Sequence, residues 1–179
     1  YDKKVLVHPG GGYYTPGKDI ETLRAEMRGY REQGYRICKM KVGAVPLAED
    51  MKRVEAAADE LGSGENLAVD VNGRFTLEQA IEFCKAVEPL KLAWYEEPGD
   101  PLDYHLNAEL IQNYSGPIAT GENLFSHQDM NNLMRFGGMR PDIDWFQPDP
   151  TLCYGPTEML VMLEQAQLFG WSRRRCLPH

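Results

Sequence analysis

No segment of this chain approaches the roughly 20 consecutive apolar residues that a membrane helix needs. The opening residues, Tyr1-Asp2-Lys3-Lys4, do not begin a signal peptide. Basic charge is in short supply: 19 Lys and Arg against 27 Asp and Glu leave a formal net charge of −8, with no basic tail. Neither a membrane nor a nucleic acid is therefore the expected partner. The four cysteines, Cys38, Cys84, Cys153 and Cys176, are scattered and lack the spacing of a zinc site or a disulfide framework. They read as free thiols of a reducing cytoplasm. Pro9-Gly10-Gly11-Gly12 lacks the lysine and the serine or threonine that follow in a phosphate-binding P-loop, so a tight turn is expected there.

What is present is an alternation of strand and helix. The 179 residues, 42% hydrophobic and 26% charged, suffice for one sizeable core. Apolar patterning predicts strands near 4–8, 35–42, 66–72, 92–96, 117–122, 143–148 and 171–179. Helices are predicted near 19–33, 47–61, 77–87, 102–114, 126–136 and 155–169, with Gly34, Gly62, Gly137 and Gly170 as stops and Thr76 as a cap. The strand ends Lys41, Asp70, Glu96, Glu122, Asp149 and His179 follow one another at intervals of 26 to 30 residues. A strand, a helix and two short loops need about that length. No sequence repeat accompanies this period. Right-handed crossovers would place successive strands in one parallel sheet. An open doubly wound sheet explains the period equally well. A (β/α)8 barrel of the TIM type, here with about seven strands, also explains why each strand ends in a chemically useful group, because barrel strand ends converge.

Lys39-Met40-Lys41 puts two ammonium groups on one face of a strand, with Cys38, Met40 and Val42 on the other. Like charges side by side lower each other's pKa, and a lysine that sheds its proton can serve as a general base. Asp70, Glu96 and Glu122 end three consecutive strands. Three converging carboxylates repel unless a cation lies among them, and hard oxygen donors suit Mg²⁺ better than Zn²⁺. Strand parity turns Glu97 outward and leaves Glu96 as the ligand. Asp149 and His179 end the next two predicted strands, within reach of a carboxylate–imidazole bond that fixes the histidine tautomer.

With Lys39-Met40-Lys41, Asp70-Val71-Asn72, Glu96-Glu97-Pro98, Gly121-Glu122 and the Asp149…His179 pair in this order, the chain resembles the enolase superfamily, in its mandelate-racemase-like subgroup. No lysine stands on the sixth strand, where the muconate-cycloisomerase-like branch has one. Trp171 to His179, with the two-lysine strand, is most similar to the tartrate-dehydrating branch. The resemblance implies a Mg²⁺-dependent dehydratase of a small anionic hydroxy acid, converting D-tartrate to oxaloacetate through an enediolate. It implies Lys41 as the base that removes the α-proton, His179 as the acid that protonates the leaving hydroxyl, and Asp149 as its orienting partner. Lys39 and Asn72 would bind substrate oxygens. A racemase or epimerase, a dehydratase for a longer sugar acid, and a non-catalytic metal-binding barrel are the alternatives. Family members commonly assemble as homo-oligomers.

The family's N-terminal capping domain and the last strand-helix portion of its barrel have no counterpart here, which implies a partial catalytic barrel over 1–179. Two open sheet edges would make the segment alone aggregation-prone and inactive. His8, His105 and His127 have no evident partners and read as structural or solvated, with His8 the best placed of the three. Tyr13 and Tyr14 are expected in packing, as are Trp94, Tyr95 and Trp145. One of Arg173 to Arg175 is expected to neutralise interior acids.

Overall fold

The computed structural model describes residues 7–179. Six parallel strands form one sheet in the order of the sequence: β1 (Gly10–Gly11), β2 (Cys38–Lys41), β3 (Leu67–Asp70), β4 (Trp94–Glu96), β5 (Ile118–Thr120) and β6 (Trp145–Phe146). Helices follow as α1 (Ile20–Glu32), α2 (Leu47–Leu61), α3 (Leu77–Val87), α4 (Tyr104–Asn113), α5 (His127–Phe136) and α6 (Pro156–Leu168). A doubly wound sheet reverses its strand order at a switch point. This sheet never reverses, so it is an arc of a (β/α)8 barrel.

Local chemistry sets the helix boundaries. The Asp19 carboxylate accepts from Thr22 N at 2.8 Å and starts α1. Thr76 and Gln79 form a reciprocal capping box at α3. Gly62, at φ 81°, closes α2 in the left-handed region. One face of each of α1 to α4 and the outer face of the sheet then form the main core, while α5 and α6 pack with Phe146 and Trp171 in a second. Leu23, Met27, Met40, Val54, Leu67, Val69 and Phe83 are all at most 2% exposed within the main core. Burial of each such side chain stabilises the fold by about 1.5–3 kcal/mol. Inside the arc, the large Trp94 packs between Ala68 and Ala119, with Trp145 and Leu177 against them.

Below the sheet, Asp144 is fully buried. Its carboxylate accepts from Ile118 N at 2.9 Å and from the Arg140 guanidinium at 2.7 Å. Arg140 also donates to the carbonyls of Tyr114 and Gly116. This pair ties the entry to β5 to the entry to β6, at the end of the arc opposite the lysines.

The predicted strand at 4–8 lies largely outside the described residues, and three other expectations change. Two of the three glycines expected in a tight turn instead form β1, with Gly10 opposite Lys39 and Gly11 opposite Met40. Gly12, at φ 63°, makes the turn; a Cβ there would meet Met40 Cβ at 2.6 Å. The segment 171–179 is not an alternating strand. Arg173–Arg175 is a 3₁₀ turn capped by Ser172, and only a parallel bridge of Cys176 to Phe146 continues the sheet. Among the described residues, none of these arginines reaches an interior acid. Arg175 donates to the Ile143 carbonyl and covers the Trp145 ring at 4.7 Å.

Candidate active site

Register assembles the site. Lys41 stands opposite Asp70, and Asp70 opposite Glu96, so the ends of β2, β3 and β4 lie level. Lys39 Nζ pairs with Glu96 Oε1 and lies 3.2 Å from Asp70 Oδ2. Lys41 Nζ lies 2.5 Å from the same Asp70 oxygen. Asp70 and Glu96 are fully buried. Burial disfavours charge on Asp70, but Lys39 and Lys41 outweigh it and hold the pKa below the usual value. For Glu96, burial and then the neighbouring Asp70 prevail over Lys39 and push the pKa up. The expected mutual depression of the lysines is not found at Lys39. Burial does act to lower its pKa, but Glu96 and Asp70 raise it, so Lys39 remains an ammonium.

The opposite wall is the Asp149–His179 pair. His179 Nδ1 is 2.9 Å from Asp149 Oδ2, and its Nε2 is 3.2 Å from Glu122 Oε2. Backbone bonds from Leu177 N to Phe146 O and from His179 N to Pro148 O hold this last segment in place. Burial works against charge on Asp149. Hydrogen bonds from Thr151, and then from His179, outweigh it and hold the pKa at about 2. Gly121, at φ 129°, precedes Glu122; a Cβ there would press on Phe146 at 2.9 Å.

One expectation from strand parity fails where the strands end, and one is left open. Glu97 has φ 39°, is 1% exposed, and accepts from Asn123 Nδ2 at 2.7 Å. It therefore turns inward rather than outward. Burial, and then Glu122, push its pKa up to about 8. Asn72, at φ 51°, also leaves the strand conformation. Its amide N–H donates to Asp70 Oδ1 at 2.9 Å, and the residue itself is exposed. His127 is not partnerless: its Nδ1 lies 2.7 Å from Glu158 Oε1.

Among the described residues, no three candidate ligands already surround a common point. The Lys39 ammonium stands between Asp70 and Glu96, and Glu122 is drawn toward His179. The donor chemistry nevertheless fits a hard divalent cation. Asp70 and Glu96 are buried carboxylates already holding a positive charge, and among the described residues buried Glu122 Oε2 has no aligned hydrogen bond, with His179 Nε2 3.2 Å away.

Sequence reasoning missed two supports. Asp50 is 1% exposed and accepts from Gly43 N, from the Tyr14 hydroxyl at 2.5 Å and from Arg53. Arg53 donates to the carbonyls of Lys41 and Gly12. The pair thereby fixes the end of β2 that carries Lys41. Two opposite charges three residues apart on a helix ordinarily read as a solvated pair, and only burial distinguishes them. Gln147 Nε2 and Trp94 Nε1 both donate to Glu96 Oε2, at 3.0 and 2.7 Å. Tyr13, expected in packing, instead lines a cavity of about 450 Å³ with His8, Lys39, Lys41, Gln147 and His179. A neighbouring cavity of about 490 Å³, between the first loop and the starts of α1 and α2, contains none of the strand-end lysines or carboxylates.

The sequence profile described as "Enolase C-terminal domain-like" matches residues 22–178. The chain belongs to the enolase superfamily. It falls in the mandelate racemase/muconate lactonizing enzyme subgroup, as the C-terminal barrel domain. It is 31% identical over 177 residues to arabinonate dehydratase of Saccharolobus solfataricus, covering 99% of this chain and 46% of that protein. L-Talarate dehydratase of Polaromonas sp. JS666, solved with Mg and L-glucarate, superposes with a TM-score of 0.82 at 30% identity, over 96% of this chain and 46% of that one. A racemase of Streptomyces coelicolor A3(2) with bound magnesium superposes at 0.85 and 30% identity, over 98% and 50%. The chain thus spans about half the length of these superfamily members. Among the described residues, no helix is long and apolar enough to cross a membrane.

Proposed function

We propose that this enolase-superfamily barrel carries the chemistry of a Mg²⁺-dependent hydro-lyase acting on an acid sugar. One observation carries the reading: Lys39 and Lys41, paired with Asp70 and Glu96, line the same cavity as His179, which is paired with Asp149 and lies near Glu122. A lysine on one side and a carboxylate-bound imidazole on the other are what removal of an α-proton and departure of a β-hydroxyl require.

Lys41 takes the proton from the carbon next to the carboxylate. Lys39, a lasting ammonium, offsets the negative charge that then develops on the carboxylate. Asp149 holds His179 by Nδ1, which leaves Nε2 to carry the proton that departs with the β-hydroxyl as water. The carbon–oxygen bond breaks with its electron pair, and the resulting enol tautomerises to a 2-keto acid. Asp70, Glu96 and Glu122 would hold Mg²⁺, which supplies Lewis-acid stabilisation of the substrate carboxylate when bound. Asn72 remains a proposed contact to a substrate oxygen, made by its exposed side chain.

The finer reading is D-tartrate to oxaloacetate. It rests on the resemblance of the 171–179 segment alone, and none of the three proteins named above is a tartrate enzyme. Their names extend the candidates to five- and six-carbon acid sugars. The racemase or epimerase reading keeps support from the two proton-handling groups on opposite walls and from the Streptomyces coelicolor racemase. Four free thiols suit a cytoplasmic setting, and homo-oligomer assembly belongs to the proposal as well.

The test incubates the full-length protein and Mg²⁺ in D₂O with D-, L- and meso-tartrate, D-arabinonate, L-talarate and galactarate, beside a chelated control. A 2-keto acid formed from one of them and lost on chelation supports the dehydratase. Deuterium at the α-carbon without dehydration moves the reading to racemisation. No product and no exchange overturns both.

A further inference from the structure

Two buried polar atoms on residues that line the active-site cavity are left over by the proposed chemistry. His8 Nδ1 and Gln147 Oε1 are buried and, among the described residues, have no hydrogen-bond partner. Both residues line the cavity that contains Lys39, Lys41 and His179. Gln147 is 1% exposed, and its Nε2 is committed to Glu96 Oε2. That bond fixes the amide and leaves its carbonyl oxygen free. The His8 ring stands edge-on to Trp94, with centroids 5.1 Å apart and planes at 61°, so packing holds it in place. Burial, and then the Lys39 ammonium, lower the His8 pKa to about 4 against an opposing pull from the Pro9 carbonyl. The imidazole is therefore neutral at neutral pH, with one donor and one acceptor nitrogen.

We propose that His8 and Gln147 form a hydroxyl-binding subsite, which takes a hydroxyl group of the acid-sugar chain other than the one eliminated. This deepens the functional reading above and rests on it. An amide carbonyl only accepts, and a neutral imidazole can donate or accept. A hydroxyl matches that combination because it does both. A second carboxylate does not, because the subsite has no cation of its own: Lys39 and Lys41 are already paired with Asp70 and Glu96. A buried polar atom is costly to leave unpaired, so an acid lacking this hydroxyl binds less well than one that carries it.

The experiment uses the full-length protein with Mg²⁺. It compares the best acid of the panel with the analogue that lacks one hydroxyl beyond the β-carbon. The variants are His8→Phe, which keeps the ring against Trp94 but removes Nδ1, and His8→Asn, which places an amide near that position. Thermal melts check that both are folded. Wild type should prefer the hydroxylated acid by roughly 10-fold in kcat/KM, the scale of one hydrogen bond. His8→Phe should abolish the preference mainly through KM, and His8→Asn should restore part of it. The His8 Nδ1 NMR resonance should also shift when that acid is added. A preference unchanged in His8→Phe, with no Nδ1 shift, means that water alone fills the subsite and overturns this inference while leaving the dehydratase standing. A wild type that turns over no acid removes the functional reading and the subsite together.

Discussion

Lys41 and Asp70 face each other in register across β2 and β3, and Lys41 Nζ sits 2.5 Å from the Asp70 carboxylate. The proposed base and a proposed metal ligand are thus in direct contact, and so are Lys39 and Glu96 one step deeper. Lysines and carboxylates neutralise each other there, so a net-acidic chain can bury Lys39, Asp70 and Glu96 beside the half-buried Lys41.

Replacing Lys41 with Met should leave the fold intact and reduce α-proton exchange by at least about 100-fold, the usual scale of a general base. Exchange into D₂O, followed by NMR on the full-length protein, measures this directly. Exchange at the wild-type rate would remove Lys41 from the role.

His179→Asn separates the two half-reactions. Exchange by Lys41 should persist while loss of water slows by about 100-fold or more. Equal loss of both would make His179 part of the base rather than the acid.

Acid should weaken the Asp149–His179 pair in a defined window. The folded pKa of Asp149, about 2, lies below its ordinary value of 3.8. Its contribution to stability is therefore present above about pH 4 and is lost as pH falls toward 2. Urea unfolding of wild type and Asp149→Asn over pH 2 to 6 should show the two converging at the acid end. A constant difference across that range would contradict the assignment.

Lys39 stands where a cation would balance Asp70 and Glu96. Removing it in Lys39→Ala should tighten Mg²⁺ binding several-fold while impairing substrate binding, since one competing charge disappears from the carboxylates. Calorimetric titration with Mg²⁺ alone reads the first effect without reference to turnover. Weaker Mg²⁺ binding in the variant would show that Lys39 supports the ligand geometry instead.

Asp144→Ala should cost about 3 kcal/mol of stability, because it leaves the Arg140 charge and the Ile118 N–H without their shared acceptor. Chemical denaturation checks the value. Metal affinity should not change in the folded protein, since the pair lies at the opposite end of the strands from the site.

Period, polarity and strand-end residues in the sequence carried the fold class and the helix spans, and singled out Lys39, Lys41, Asp70, Glu96, Glu122, Asp149 and His179 as candidates. They did so because strand alternation and helical period are local rules, and a parallel arc brings the ends of successive strands to one rim. Local rules stop where φ changes sign. Glu97 and Asn72 lie just past strand ends with positive φ, so parity misplaced the first and did not settle the second. The 171–179 segment held too few pairing partners to become a strand and kept only one bridge. Which charges are buried was decided by tertiary packing alone. Asp50, Asp144 and Gln147 look in sequence like any solvated polar residues. Only contacts distant in sequence, from Tyr14 to Asp50, Ile118 to Asp144 and Glu96 to Gln147, complete their partners and take them out of water.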